Sequence, residues 1–247
     1  MASLRVPDDV PLPSEDCNTL HKAFKGWGTD EKAIIRVLGC RNSFQRGKIR
    51  EAYQQIYNES LIDQLHSELS GDFRKAVILW TYDPPERDAR LANKALKSRK
   101  KGITQLQVIV EIACATSPHH LVAVRQAYRS LFDCSLEEDI TFHVPLPVRK
   151  DIKSCGKGLL VSVLRVVIWC IDAPEKHFAE VIRASVVGLG TDEVSLTRAI
   201  VSRAEIDMMK IRGEYFNVNK TSMDNAVKED TSGDYRNFLM ALLGAKI

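Results

Sequence analysis

Apolar residues in the first third of the chain fall on helical spacings. Ile34, Ile35 and Leu38 line one short segment, and Ile49, Ala52, Tyr53 and Ile56 recur at i, i+3, i+4 and i+7 in the next. Polar and turn residues between these stretches predict five helices. The first runs from an N-cap at Ser14, after a proline-rich lead, to about Phe24. Thr29 caps the second, whose first turn carries Asp30 and Glu31 at the positive end of the helix dipole. Ser43 caps the third, Leu61 to Leu69 reads as a short fourth, and Phe73 to Trp80 as a fifth that closes at Asp83-Pro84-Pro85. No alternating strand pattern stands out, so the predicted class is all-α.

The same plan returns downstream. A helix through Ala89, Leu91, Ala92, Ala95 and Leu96 opens a second unit, and an offset of 75 places Arg125 on Arg50, Tyr128 on Tyr53 and Ser135-Leu136 on Ser60-Leu61. Past Ile140 the pattern falters at Phe142-His143-Val144-Pro145-Leu146-Pro147, which reads as a linker. A long apolar helix from about Gly158 to Ile171 follows, ending at Asp172-Ala173-Pro174-Glu175, and a last unit places Ile211, Tyr215 and Val218 on its third helix. Three units of about 70 to 80 residues have the repeat length of a helical array.

One turn gives this array a chemistry. Phe24-Lys25-Gly26-Trp27-Gly28-Thr29-Asp30-Glu31 recurs as Val186-Val187-Gly188-Leu189-Gly190-Thr191-Asp192-Glu193 at an offset of 162, and the same offset carries Glu68 onto Asp230 and Gly71-Asp72-Phe73-Arg74 onto Gly233-Asp234-Tyr235-Arg236. Paired glycines before a helix are common as plain connections. A carboxylate returning at the same distance in two units is not explained that way. In the middle unit Lys101, Ile103 and His143 stand where the first has Gly26, Gly28 and Glu68.

Calcium takes about six to eight oxygen ligands, often backbone carbonyls and a bidentate carboxylate. Glycines let a loop turn its carbonyls inward. The carbonyls of Phe24, Gly26 and Gly28 with Glu68, and by the same offset those of Val186, Gly188 and Gly190 with Asp230, are therefore the candidate metal ligands. Such a set gives five oxygens and one negative charge per site, leaving open positions that water or a lipid phosphate oxygen can fill. Asp230, one methylene shorter than Glu68, is expected to reach less easily. Trp27 at the loop tip either packs on its own turn or meets a membrane interface, where an indole is favourable; Leu189, its counterpart, is also apolar.

Composition narrows the class further. With 45% apolar residues in 247 the chain can bury a core, and a net charge of +3 permits contact with an anionic surface without demanding it. The N-terminus shows no apolar signal segment, and the longest apolar run is shorter than the roughly 20 residues that span a bilayer. The basic cluster Lys97-Ser98-Arg99-Lys100-Lys101 reads either as a solvated helix end or as a headgroup contact. Six scattered cysteines (Cys17, Cys40, Cys114, Cys134, Cys155 and Cys170) lack zinc-site spacing and read as reduced thiols. His119-His120 beside Pro118 reads as a helix start, and no catalytic constellation is present, so no enzyme is expected.

Gly26-Trp27-Gly28-Thr29-Asp30-Glu31 with Ser67-Glu68-Leu69-Ser70-Gly71-Asp72-Phe73, and Gly188-Leu189-Gly190-Thr191-Asp192 with Glu229-Asp230-Thr231-Ser232-Gly233-Asp234-Tyr235, resemble the type II calcium sites of the annexin family, its plant branch in particular. The resemblance covers nearly the whole chain. It implies an array of five-helix repeats that binds acidic phospholipid membranes reversibly when calcium is raised, with Trp27, Thr29, Leu189 and Thr191 at the lipid and Ca2+ as the only cofactor. It also implies a cytoplasmic, peripherally membrane-associated protein with a part in calcium or stress signalling and membrane trafficking, self-association and cytoskeletal or other protein partners open to it, and no nucleic acid. The family usually has four repeats. Here the resemblance implies repeat 1 over 10–82, a hybrid of repeat 2 and the last helix of repeat 3 over 83–172, and repeat 4 over 173–247. Cys114 and Cys170 match positions proposed as a redox pair in plant annexins. The rival reading is a helical-repeat scaffold for protein partners, whose turns merely connect helices.

Overall fold

The computed structural model describes residues 1–26, 28–99, 102–144, 159–188 and 190–245. Among them are fifteen α-helices and no strand, in agreement with the all-α reading. In chain order they are α1 Pro13–Phe24, α2 Glu31–Leu38, α3 Ser43–Tyr57, α4 Leu61–Glu68, α5 Gly71–Thr81, α6 Pro84–Lys97, α7 Ile103–Cys114, α8 Pro118–Phe132, α9 Leu136–His143, α10 Leu159–Asp172, α11 Pro174–Val186, α12 Glu193–Arg203, α13 Met208–Asn219, α14 Met223–Asp230 and α15 Gly233–Leu242. The repeat is visible in the backbone: Asn58, Asp133 and Lys220 each end the third helix of a set of five with φ of 55°, 56° and 56°. This left-handed cap costs a non-glycine residue energy, yet it satisfies a terminal carbonyl and turns the chain.

Several helix starts differ from the sequence expectation for local reasons. Leu12, not Ser14, is the N-cap of α1: Pro13 takes the first helical position, where its missing N–H is no loss, and Glu15 reaches back to the Leu12 N–H at 2.9 Å. Asn42, not Ser43, caps α3, because Asn42 and Gln45 close a reciprocal capping box. The expected linker past Ile140 begins later, since α9 continues to His143; residues 145–158 lie outside the described residues. Ile49 and Tyr53 are buried as expected, but Ile56 and Val218 are exposed, so the apolar stripe of α3 and α13 is narrower than the spacing suggested.

The chain forms two compact units, one of residues 1–83 with 178–247 and one of residues 84–177. In the first, the five-helix sets from the two ends of the sequence share a core. Phe73 of α5 meets Phe238 of α15 edge-on at 6.0 Å, and the fully buried Trp80 donates its indole N–H to the Leu38 carbonyl at 2.7 Å. Arg46 of α3 lies 3.5 Å over the Trp80 ring and reaches Glu205, at 3.0 Å, while Glu205 also accepts from the Ser43 N–H at 2.6 Å. The N-terminal lead closes the same unit, with Ser3 donating to the Ala204 carbonyl at 2.9 Å and the Leu242 carbonyl at 2.6 Å.

In the second unit α6 packs against α7, α8 and α9, and α10 lies on α7. Its core centres on Ala92, Leu96, Ile112, Val124 and the buried Tyr128, whose hydroxyl is bonded by Asn93 and donates to Asp139. His120, in the first turn of α8 as expected, bonds the buried Asp88 at 2.7 Å. Cys17 and Cys170 are buried and Cys40, Cys114 and Cys134 half-buried, and burial pushes the Cys17 thiol up to about 11. Cys155 lies outside the described residues.

Candidate functional site

The first glycine loop leaves α1 at Phe24. It closes by a hydrogen bond from the Asp30 N–H to the Ala23 carbonyl at 3.0 Å. Gly28 sits at φ 81°, a region open to glycine and costly to other residues. At Gly26 the constraint is space, since a Cβ there would stand 3.2 Å from the Gly28 carbonyl oxygen, a tight contact. The second loop leaves α11 at Val186 and closes the same way, with the Asp192 N–H on the Ser185 carbonyl at 2.9 Å and Gly190 at φ 87°. Gly188, however, takes φ 135°, so the two loops share their closure without sharing every torsion.

Thr29 does not cap α2, although a threonine at that place suits a cap. Asp30 does, accepting from the Ala33 N–H at 3.0 Å, which frees the threonine hydroxyl for a distant partner. That partner is Glu68, the last residue of α4: Thr29 Oγ1 lies 3.2 Å from its carbonyl oxygen and 3.4 Å from its carboxylate. Thr191 repeats the arrangement on Asp230, at 2.7 Å to the carbonyl and 2.6 Å to the carboxylate, with Asp192 as the cap of α12. The shorter Asp230 side chain is thus held closer to its threonine than Glu68 is.

Both clamps open onto one groove of about 350 Å³ within the first unit. Its lining includes Glu31, Glu68 and Asp72 from one end of the chain and their equivalents Glu193, Asp230 and Asp234 from the other. Lys75 pairs with Asp72 at 2.9 Å, and the half-groove from α15 is backed by Tyr235, whose phenol burial pushes above its ordinary value and whose hydroxyl bonds Thr197 at 2.9 Å. Glu31 reads in the sequence only as a dipole partner of its helix and Glu193 only as its counterpart in the repeated turn; the offset that doubles Glu68 doubles Glu31 too, and was the available signal. Among the described residues no three His, Cys, Asp or Glu side chains come together as a metal cluster.

In the middle set of helices the sequence has Lys101 and Ile103 at the positions of Gly26 and Gly28. His143 stands where Glu68 does and turns back on its own helix, 3.0 Å from the Asp139 carbonyl, and Gly102 is extended at φ −115°. Lys97 lies 5.6 Å over the Phe132 ring. Trp27, Leu189, Lys100 and Lys101 lie outside the described residues. No helix among the described residues is long and apolar enough to cross a membrane.

Repeated five-helix sets, with a carboxylate brought back onto a glycine loop at both ends of the chain, define a helical-repeat protein with two matched loop sites. The chain belongs to the annexin family, whose model matches residues 15–80, 87–144 and 177–242. Annexin D3 of Arabidopsis thaliana is 49% identical over 321 aligned residues, covering 100% of both chains. Annexin Gh1 of Gossypium hirsutum is 35% identical, with 98% of this chain and 99% of its own covered. Among solved structures, annexin III superposes with a TM-score of 0.90 at 25% identity, covering 100% of this chain and 98% of its own. Calcium-bound annexin (Sm)1 superposes with a TM-score of 0.84 at 25% identity, covering 99% and 93%.

Proposed function

We propose that this protein binds calcium at its two glycine loops and through the bound ions docks reversibly on acidic phospholipid membranes. The observation that carries the reading is the duplicated clamp, in which Thr29 and Thr191 hold Glu68 and Asp230 beside their loops. In this reading the carbonyls of Phe24, Gly26 and Gly28 with Glu68 hold one ion, and those of Val186, Gly188 and Gly190 with Asp230 the other. Bound calcium would supply a positive charge that bridges protein oxygens to lipid phosphate. The residues fit it: the donors are all hard oxygens, and each loop carries a glycine at a torsion other residues resist. With one carboxylate per ion the site is charge-poor, so affinity without lipid falls in the range of about 10⁻⁴ to 10⁻³ M of weak calcium modules. Trp27 and Leu189 at the loop tips enter the membrane interface, and the threonines act on lipid indirectly, by fixing the carboxylates.

Family membership supports calcium-dependent phospholipid binding in general, and the calcium-bound relative supports the choice of ion. The same reading takes the chain as an array shortened by most of the third of four repeats. Three matched segments, and the 321 aligned residues against annexin D3 for a chain of 247, support that shortening. It leaves a non-enzymatic peripheral membrane protein, cytoplasmic until calcium rises, that acts in calcium or stress signalling and membrane trafficking.

Calorimetric titration of calcium with and without phosphatidylserine vesicles tests the proposal. Two weak sites that tighten severalfold with vesicles are expected; heat changes indifferent to vesicles would move the reading to a protein-binding scaffold.

A further inference from the structure

Helix α10 is apolar on both sides, yet among the described residues only one side is covered. Cys170 is buried and Val163, Val166 and Val167 are half-buried on the face opposite the exposed one, consistent with the packing of α10 on α7. On the other face Val161, Leu164, Ile168 and Ile171 recur at i, i+3, i+7 and i+10 and are 43%, 49%, 63% and 67% exposed. A helix hydrophobic all round belongs in an interior, and a continuous exposed apolar ridge marks an interaction surface. At 14 residues the helix is about 21 Å long, too short to span a bilayer.

The charges on this face select the partner. Arg165 and Asp172 are exposed beside the ridge, seven residues apart, and so share one position of the helical repeat. Neither enters an ion pair among the described residues. A parallel helix would leave these opposite charges about 10 Å apart along the axis. An antiparallel copy related by a two-fold axis near Ile168 instead sets each Arg165 against the second copy's Asp172, with Ile168 and Ile171 of both copies between them. Membrane-surface helices carry a Lys/Arg-rich polar face, whereas this one has a single cation beside a single anion. We propose that the exposed ridge of α10 is a homodimer interface, an antiparallel pairing of α10 with α10 from a second copy of this chain. A contact of this length buries less than the roughly 800 Å² per partner of a standard interface, so the dimer is reversible and concentration-dependent.

Sedimentation equilibrium of the whole chain in calcium-free buffer, over a roughly hundredfold concentration range, tests it. The wild type is expected to pass from monomer to dimer, and Ile168→Glu to remain monomeric with unchanged far-ultraviolet circular dichroism. Arg165→Asp or Asp172→Arg alone should weaken the dimer roughly tenfold by setting like charges together. The double exchange, Arg165→Asp with Asp172→Arg, should restore it. A monomer throughout, a dimer indifferent to Ile168→Glu, or a double exchange no tighter than the single ones would overturn the proposal. So would a chain monomeric in solution whose ridge instead binds vesicles without calcium.

Discussion

Thr29 and Glu68 stand 39 residues apart in the chain, and the Thr29 hydroxyl lies within reach of both the main-chain carbonyl and the carboxylate of Glu68. Thr191 and Asp230, at the same separation of 39, repeat the contact. The threonine spans the gap between the loop and the end of the fourth helix of its set and so fixes where the carboxylate sits, which in the proposed reading prepares it for the cation. Pre-fixing a ligand removes part of the ordering cost that binding would otherwise meet.

Replacing that hydroxyl should therefore cost calcium affinity without cost to the fold. Thr29→Val is expected to raise the calcium concentration for half-maximal vesicle binding by about 2- to 10-fold, the value of one hydrogen bond, while Thr29→Ser retains most of it. Thr191→Val should show the larger effect of the two valine variants, because its contacts are shorter. Calcium titrations of vesicle binding check both.

Glu205 faces the buried Arg46 guanidinium and the Ser43 N–H. Glu205→Ala removes acceptors from both, and unfolding in urea should show a loss of about 2 to 3 kcal/mol. A neutral result would mean that this pair does not tie the two ends of the chain together.

Asp88 is buried, which by itself works against its charge, but Arg87 and His120 outweigh burial and hold its carboxyl below the usual carboxylate value. A carboxylate depressed in the folded state contributes stability that is present above its unfolded pKa, about 4, and is lost as pH falls through the lower folded value. Asp88→Asn is expected to cost about 2 to 4 kcal/mol at neutral pH and to flatten the acid side of the stability profile below about pH 4. Melting curves from pH 3 to 7 read both effects.

Backbone torsion makes two opposite predictions. Lys220 holds φ 56° at a helix end, so Lys220→Gly should stabilise by about 1 kcal/mol and raise Tm by about 2 to 4 °C. Gly28→Ala, at φ 81° with open space around it, should lower Tm by a similar amount through torsion alone and weaken calcium-dependent vesicle binding.

What the sequence made legible follows from which interactions are local. The helical spacing, the repeat offsets and the glycine turns are written within short windows, and the five helices expected in the first unit are all present among the described residues. Thr29 was misread as a cap because Thr29 and Asp30 are both competent, and only the distant Glu68 decides between them. Ile56 and Val218 kept helical register with buried neighbours yet lie exposed, since register cannot say how wide the covering helices are. The α10 run reads in the sequence only as a long apolar helix; its open face shows only when the neighbours are placed. Glu31 has a local explanation at its helix start, which hides the place it shares with Glu193 in the groove.

The central claim, two calcium sites that hold the protein on an acidic membrane, is tested most directly by co-sedimentation with phosphatidylserine vesicles. Wild type, Glu68→Gln, Asp230→Asn and the double variant are compared in calcium and in chelator. The account predicts pelleting of the wild type in calcium alone, a higher calcium requirement for each single variant, and loss of pelleting in a double variant of unchanged Tm. Pelleting that persists in chelator, or a double variant that pellets like the wild type, would contradict it.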